Sequence, residues 1–100
     1  MAIEIIWSKE AFVTYFSNIQ YLQIHWSDRE VDRFIKQADY VISRIQEHPQ
    51  SFSPSPKSKS IRRARINKYI TLYYRIQIQK KRIIFLSFWN TRQDPGKLKF

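Results

Sequence analysis

Residues 61–89 read IRRARINKYITLYYRIQIQKKRIIFLSFW, and the period of this stretch decides the fold. Side chains alternate with a period of two, the repeat of a β-strand, whose successive residues point to opposite faces. Three strands follow: Ile61 to Ile66, Tyr69 to Gln77 after a two-residue turn at Asn67-Lys68, and Arg82 to Trp89 after a second turn at Gln79-Lys80-Lys81. In the middle strand Ile70, Leu72, Tyr74, Ile76 and Ile78 share one face, while Tyr69, Thr71, Tyr73, Arg75 and Gln77 share the other. The last strand is apolar on both, with Ile84, Leu86 and Phe88 alternating with Ile83, Phe85 and Trp89. Two readings of this second apolar row stay open: a central strand whose second face the tail covers, or a docking surface for another chain.

Upstream, the period lengthens to that of a helix. Val31, Phe34, Ile35, Ala38, Val41, Ile42 and Ile45 recur at helical spacing until His48-Pro49, where proline ends the run. Ser27 and Glu30 have the spacing of a capping box in front of it. An earlier helix follows the N-cap candidate Ser8, with Glu10 in its first turn and Ala11, Phe12, Tyr15, Phe16, Ile19, Leu22 and Trp26 as its apolar face. Ala2 to Trp7 is a short β-branched run and reads as a strand. Residues 50–60, QSFSPSPKSKS, carry neither period and read as a flexible Pro/Ser/Lys loop. The order is β-α-α-β-β-β. The expected fold is α+β, an antiparallel helical hairpin packed on one face of a small, mostly antiparallel sheet, in a single domain spanning residues 1–100.

Composition narrows the function. One glycine, Gly96, is too few for a phosphate-cradling or dinucleotide-binding loop. The absence of cysteine removes disulfides, thiolate metal sites and cysteine nucleophiles, and His25 and His48 are the only imidazoles, so neither a metal nor another cofactor is expected. The longest apolar run, Ile83 to Leu86, is too short to span a membrane, and no export pattern opens the chain; the expected location is the cytoplasm.

The net charge of +10 is unevenly placed. Residues 1–50 hold five basic and seven acidic side chains, whereas residues 51–100 hold 13 basic ones and a single acid, Asp94, read as a turn former before Pro95-Gly96. A field concentrated in one half points to a polyanionic or acidic partner. The residues able to meet it are Arg62, Arg63, Arg65, Lys68, Tyr69, Tyr73, Arg75 and Arg92. They can hold phosphate and stack on bases, and only Lys68, Tyr69 and Arg92 are weak catalytic candidates. A basic nucleic-acid-binding module is one function consistent with this set.

The element order, the basic second half, the strand Tyr69-Ile-Thr-Leu-Tyr-Tyr-Arg-Ile76 and the ending Phe88-Trp-Asn-Thr-Arg-Gln-Asp-Pro95 resemble the RelE/ParE superfamily of bacterial toxins, often labelled plasmid-stabilisation proteins. The resemblance covers nearly the whole chain. It implies the toxin of a type II toxin–antitoxin system that inhibits growth and forms a hetero-oligomer with a small antitoxin. It also implies two branches. RelE-like members cut messenger RNA on the ribosome with basic strand residues and a late Tyr or His; here the position after Tyr69, where those nucleases tend to carry arginine, holds Ile70, and the late His position falls near Asn90. ParE-like members poison DNA gyrase, and this chain resembles them more closely. On that reading Arg62, Arg63, Arg65, Arg75 and Arg92 contact the target or antitoxin, and Tyr73, Phe85 and Trp89 form the apolar part of the antitoxin surface.

Overall fold

The computed structural model describes residues 3–93 and 95–100. Ala2, at the head of the expected first strand, and Asp94, the expected turn former, lie outside the described residues. The elements are β1 (Glu4–Trp7), α1 (Lys9–His25), α2 (Asp28–Glu47), β2 (Pro54–Ser55), β3 (Ser58–Arg65), β4 (Ile70–Gln77) and β5 (Arg82–Asn90), with 3-10 turns at Pro49–Ser51 and Pro95–Lys97. They form a five-stranded sheet in the order β1-β5-β4-β3-β2, in which β1 runs parallel to β5 and the other pairs are antiparallel. The fold is the expected α+β hairpin-on-sheet arrangement. Among the described residues no helix is long and apolar enough to cross a membrane.

α1 starts where the sequence places it: the Ala11 amide donates to Ser8 Oγ at 3.0 Å. The capping box at Ser27 does not form. The Ser27 side chain makes no cap bond, the Glu30 amide instead donates to the Ser27 carbonyl at 3.0 Å, and the Glu30 carboxylate faces Arg33 at 3.7 Å. α2 buries the expected stripe, with Val31, Phe34, Ala38, Val41 and Ile45 inside and Ile35 and Ile42 half-buried. α1 differs from expectation. Ala11 is buried and Tyr15, Ile19 and Leu22 pack against the core, but Phe12, Phe16 and Trp26 are exposed, and Asn18 is buried in their stead.

The sheet holds the largest departure. Tyr73 pairs with Ser87 but Tyr74 pairs with Phe85, so Leu86 is an extra residue that shifts the register of β5. Such a bulge inverts the alternation beyond it. Ile83, Phe85 and Phe88 therefore all face the helices, although their numbering puts Phe88 out of phase with the other two. Phe85 is thus not part of a docking surface: it is 0% exposed and packs on Trp7, with ring centroids 5.4 Å apart. The opposite face of β5 carries Ile84, Ser87 and Trp89, so its second row is less apolar than strict alternation implies.

β1 covers only the first part of β5, pairing through Phe85. Beyond it, side chains of α1 and its cap take over the free strand edge. Ser8 Oγ donates to the Leu86 carbonyl, the Phe88 amide donates to Thr14 Oγ1 at 2.9 Å, and Asn18 Nδ2 donates to the Phe88 carbonyl at 3.1 Å. Buried backbone groups need such partners, which explains why a helix facing an apolar core carries Thr and Asn there.

Residues 50–60 contain β2 and the first residues of β3, which starts three residues before the expected Ile61. β4 begins at Ile70 rather than Tyr69, and it ends at Gln77, which leaves Ile78 70% exposed in the following turn. The tail lies over the sheet face away from the helices: the Phe100 ring sits 5.9 Å from that of Tyr73, Ser55 Oγ donates to the Phe100 carbonyl, and Lys57 Nζ donates to the Leu98 carbonyl.

Candidate functional site

Residues directly opposite on neighbouring strands share a face. The pairs Arg63–Tyr73–Ser87 and Arg65–Thr71–Trp89, with Ile61–Arg75–Ile84 beside them, build the sheet face opposite the helices. Arg63, Arg65 and Arg75 are exposed on it, Trp89 is half-buried, and Tyr73 is buried beneath Phe100. Five of the expected contact residues thus come together. Arg62 belongs to the other face, opposite Tyr74, and its guanidinium donates to the Phe52 carbonyl at 2.6 Å. Residues 49–93, which include β3, β4 and β5 entire, contain no Asp, Glu or His.

The remaining candidates, Lys68, Tyr69 and Arg92, meet elsewhere. They line a cavity of about 270 Å³ between the helical hairpin and the β3–β4 turn. The turn is held as a three-residue loop rather than the expected two, closed by the Ile66 amide donating to the Ile70 carbonyl at 2.9 Å. Inside it Asn67 Oδ1 accepts from the Tyr69 and Ile70 amides at 2.9 and 3.0 Å, an Asx turn that Asn favours. Asn67 Nδ2 donates to Gln37 Oε1 at 3.1 Å and ties the turn to α2. On the other wall Asn90 Nδ2 donates to Asn18 Oδ1 at 3.1 Å while Asn90 Oδ1 accepts from the Arg92 amide at 2.9 Å, which orients the chain as it leaves β5.

Arg92 organises the cavity mouth. Its guanidinium stacks 4.0 Å from the Tyr69 ring centre and 5.3 Å from that of Tyr21, and Nη1 donates to the Tyr21 hydroxyl at 2.9 Å. Lys68 Nζ lies 5.5 Å from the Tyr69 ring centre. Hydrogen bonding from Arg92, followed by the Lys68 charge, holds the Tyr69 phenol below its ordinary value, because both cations favour the phenolate. The site can therefore stack a planar or apolar group against aromatic rings and hold an anion beside them.

Tyr21, Trp26 and Arg33 also line this cavity and were not among the expected site residues. Trp26 belongs to the expected apolar face of α1, yet it is 59% exposed at the helix end. One signal for them exists in the sequence: α1 holds more large apolar residues than one buried stripe can use, so some must face outward. Of the two imidazoles, His48 is exposed at the end of α2 and His25 lies 4.6 Å from the Tyr21 ring, outside the cavity lining.

Comparison with known proteins places this geometry. The model of the family described as ParE toxin of type II toxin–antitoxin system, parDE, matches residues 5–95. No curated protein sequence matches the chain. Among solved structures it is similar to one of the chromosomal ParDE toxin–antitoxin system from P. aeruginosa, with TM-score 0.72 and 10% identity, over 88% of this chain and 95% of that one. It is also similar to a YoeB/ParE toxin from Agrobacterium tumefaciens, with TM-score 0.63 and 13% identity, over 88% of this chain and 98% of that one. A third similar structure is the YoeB dimer from Staphylococcus aureus, with TM-score 0.60 and 16% identity, over 87% of this chain and 94% of that one. At these identities the structural likeness concerns the fold.

Proposed function

The chain belongs to the family of ParE toxins of type II toxin–antitoxin systems, and from that premise we propose that it inhibits bacterial growth by acting on DNA gyrase in the cytoplasm and is neutralised by a cognate antitoxin. The observation that carries this reading over RNA cleavage is the chemistry of the sheet face. Arg63, Arg65 and Arg75 with Trp89 make a surface suited to binding, whereas the three long strands supply no carboxylate or imidazole for proton transfer. Ile70, at the position where RelE-like nucleases tend to carry arginine, is buried in the core. The test is induction of the chain in bacteria with parallel assays of DNA breakage and translation, joined to a supercoiling assay with purified gyrase. DNA breaks that precede any loss of translation, and inhibited supercoiling, are expected. Supercoiling at the control rate, with intact chromosomes in arrested cells, refutes the gyrase target.

One observation favours a second reading, ribosome-dependent cleavage of messenger RNA. The Tyr69 phenol, held below its ordinary value by Arg92 and Lys68, stands at the cavity where a tyrosine could act on a phosphate held by those cations. That reading expects cuts at a reading-frame spacing in translated messages, abolished by Tyr69→Phe.

A further inference from the structure

The cavity at the hairpin end has features that the gyrase reading does not use. It lies at the junction of α1, α2 and the β3–β4 turn, and its rim combines Tyr21, Trp26, Tyr69, Arg33, Lys68 and Arg92. Trp, Tyr and Arg are the residue types that dominate binding energy at protein interfaces, where an anchor side chain enters a desolvated pocket. Its size, about 270 Å³, accommodates one or two large side chains rather than an extended polymer. Its floor is fixed before any ligand arrives, because Asn90 already bonds Asn18 and Asn67 already bonds Gln37. A preformed pocket avoids part of the ordering cost of binding.

Charge selects the occupant. Three cations on the lining, Arg33, Lys68 and Arg92, outnumber the single anion Glu30, and the Glu30–Arg33 contact at 3.7 Å is solvent-exposed and weak. The chain as a whole carries +10, which repels a second copy of itself. We propose that this cavity receives an aromatic or branched aliphatic anchor residue from an acidic segment of the antitoxin, with Trp26 and Tyr21 closing on the anchor and Arg33 pairing with a flanking carboxylate. This rests on the toxin–antitoxin reading. It separates two surfaces: the cavity takes the antitoxin anchor, and the basic sheet face remains on the far side of the sheet.

The three tryptophans report which surface is engaged, since Trp7 is half-buried against the core, Trp26 stands at the cavity and Trp89 lies on the sheet face. Dodecapeptides selected from a random phage-displayed library against the full chain are synthesised and titrated into ¹⁵N-labelled protein, and the indole N–H signals are followed. The selected peptides are expected to be net acidic with one Trp, Phe or Leu, to move the Trp26 signal, and to bind Trp26→Ala and Arg33→Glu about tenfold or more weaker. Both substitutions lie at exposed positions, and circular dichroism checks that each variant keeps the fold. Selection of no peptide, movement of Trp89 instead of Trp26, or undiminished binding to both variants overturns the proposal. So does a Trp26 shift produced by uridine 5′-monophosphate that the peptides fail to displace, because the cavity is then a nucleotide site. Growth after induction of the unaltered chain is scored separately: unimpaired growth sinks the toxin reading, while the peptide titration still decides what the cavity binds.

Discussion

Two tyrosines close in sequence, Tyr69 in the β3–β4 turn and Tyr74 in β4, have opposite chemistry because of what surrounds their hydroxyls. Tyr69 stands 39% exposed beside Arg92 and Lys68, which favour its phenolate. Arg92→Ala removes the first of these causes, so the Tyr69 phenol should titrate at higher pH, measurable by NMR of the ring carbon; an unchanged titration would show that the guanidinium does not reach it. Tyr74 is fully buried, donates to the Pro49 carbonyl at 2.7 Å, and burial pushes its phenol up to about 12 against the opposing charge of Arg62. The folded state therefore holds this proton where the unfolded chain releases it. Its contribution to stability is complete below about pH 10, the unfolded value, and is lost as pH rises from there toward 12. Tyr74→Phe is expected to cost about 1 kcal/mol at neutral pH through the lost hydrogen bond and to flatten the decline in stability above pH 10. Urea denaturation between pH 7 and 11.5 separates the two effects, and parallel curves for both proteins would contradict the assignment.

At the scale of elements, the junction between α1 and β5 is unusual in replacing a strand neighbour with side chains. Asn18, 6% exposed, satisfies the Phe88 carbonyl, the Thr14 carbonyl and Asn90 Nδ2 together. Asn18→Ala strands a buried carbonyl in an apolar setting, and a loss of about 2–3 kcal/mol is expected by urea denaturation. Gln23→Ala, an exposed change on the same helix, should stay within about 0.5 kcal/mol and serves as the control. Equal midpoints for the two variants would mean that the polar bridge contributes little. The same network sets the Asn90 side chain from which Arg92 departs, so Asn18→Ala also loosens one wall of the cavity.

For the whole molecule, charge placement and fold together set a basic sheet face apart from an aromatic and basic cavity. Neutralising Arg63, Arg65 and Arg75 with Gln takes the net charge from +10 to +7 while leaving the core untouched, because all three side chains are exposed. The triple variant should melt within a few degrees of the parent, as surface substitutions do, and lose growth inhibition. Full toxicity in the variant would remove the sheet face from the mechanism and leave the cavity as the sole candidate surface. The tail enters at this scale too, since Phe100 covers Tyr73 and leaves Trp89 and Ile84 as the half-buried apolar part of the sheet face.

The sequence by itself determined the order of the two helices and the four longer strands, the α+β class, the cap at Ser8, the inner face of α2 and the concentration of positive charge in the second half, but not the short β2. Each is local: a period or a cap is a property of neighbouring residues, and a charge count needs no coordinates. Tertiary structure decided the rest. One extra residue at Leu86 turned Phe85 into core, because strand register follows from pairing with β4 and leaves no mark on a period of two. Asn18 became buried because β1 is shorter than β5, a mismatch visible only when the strands lie side by side. The cavity brings together Tyr21, Arg33, Tyr69 and Arg92 from four separate segments, and only the packing of the hairpin on the sheet makes them neighbours.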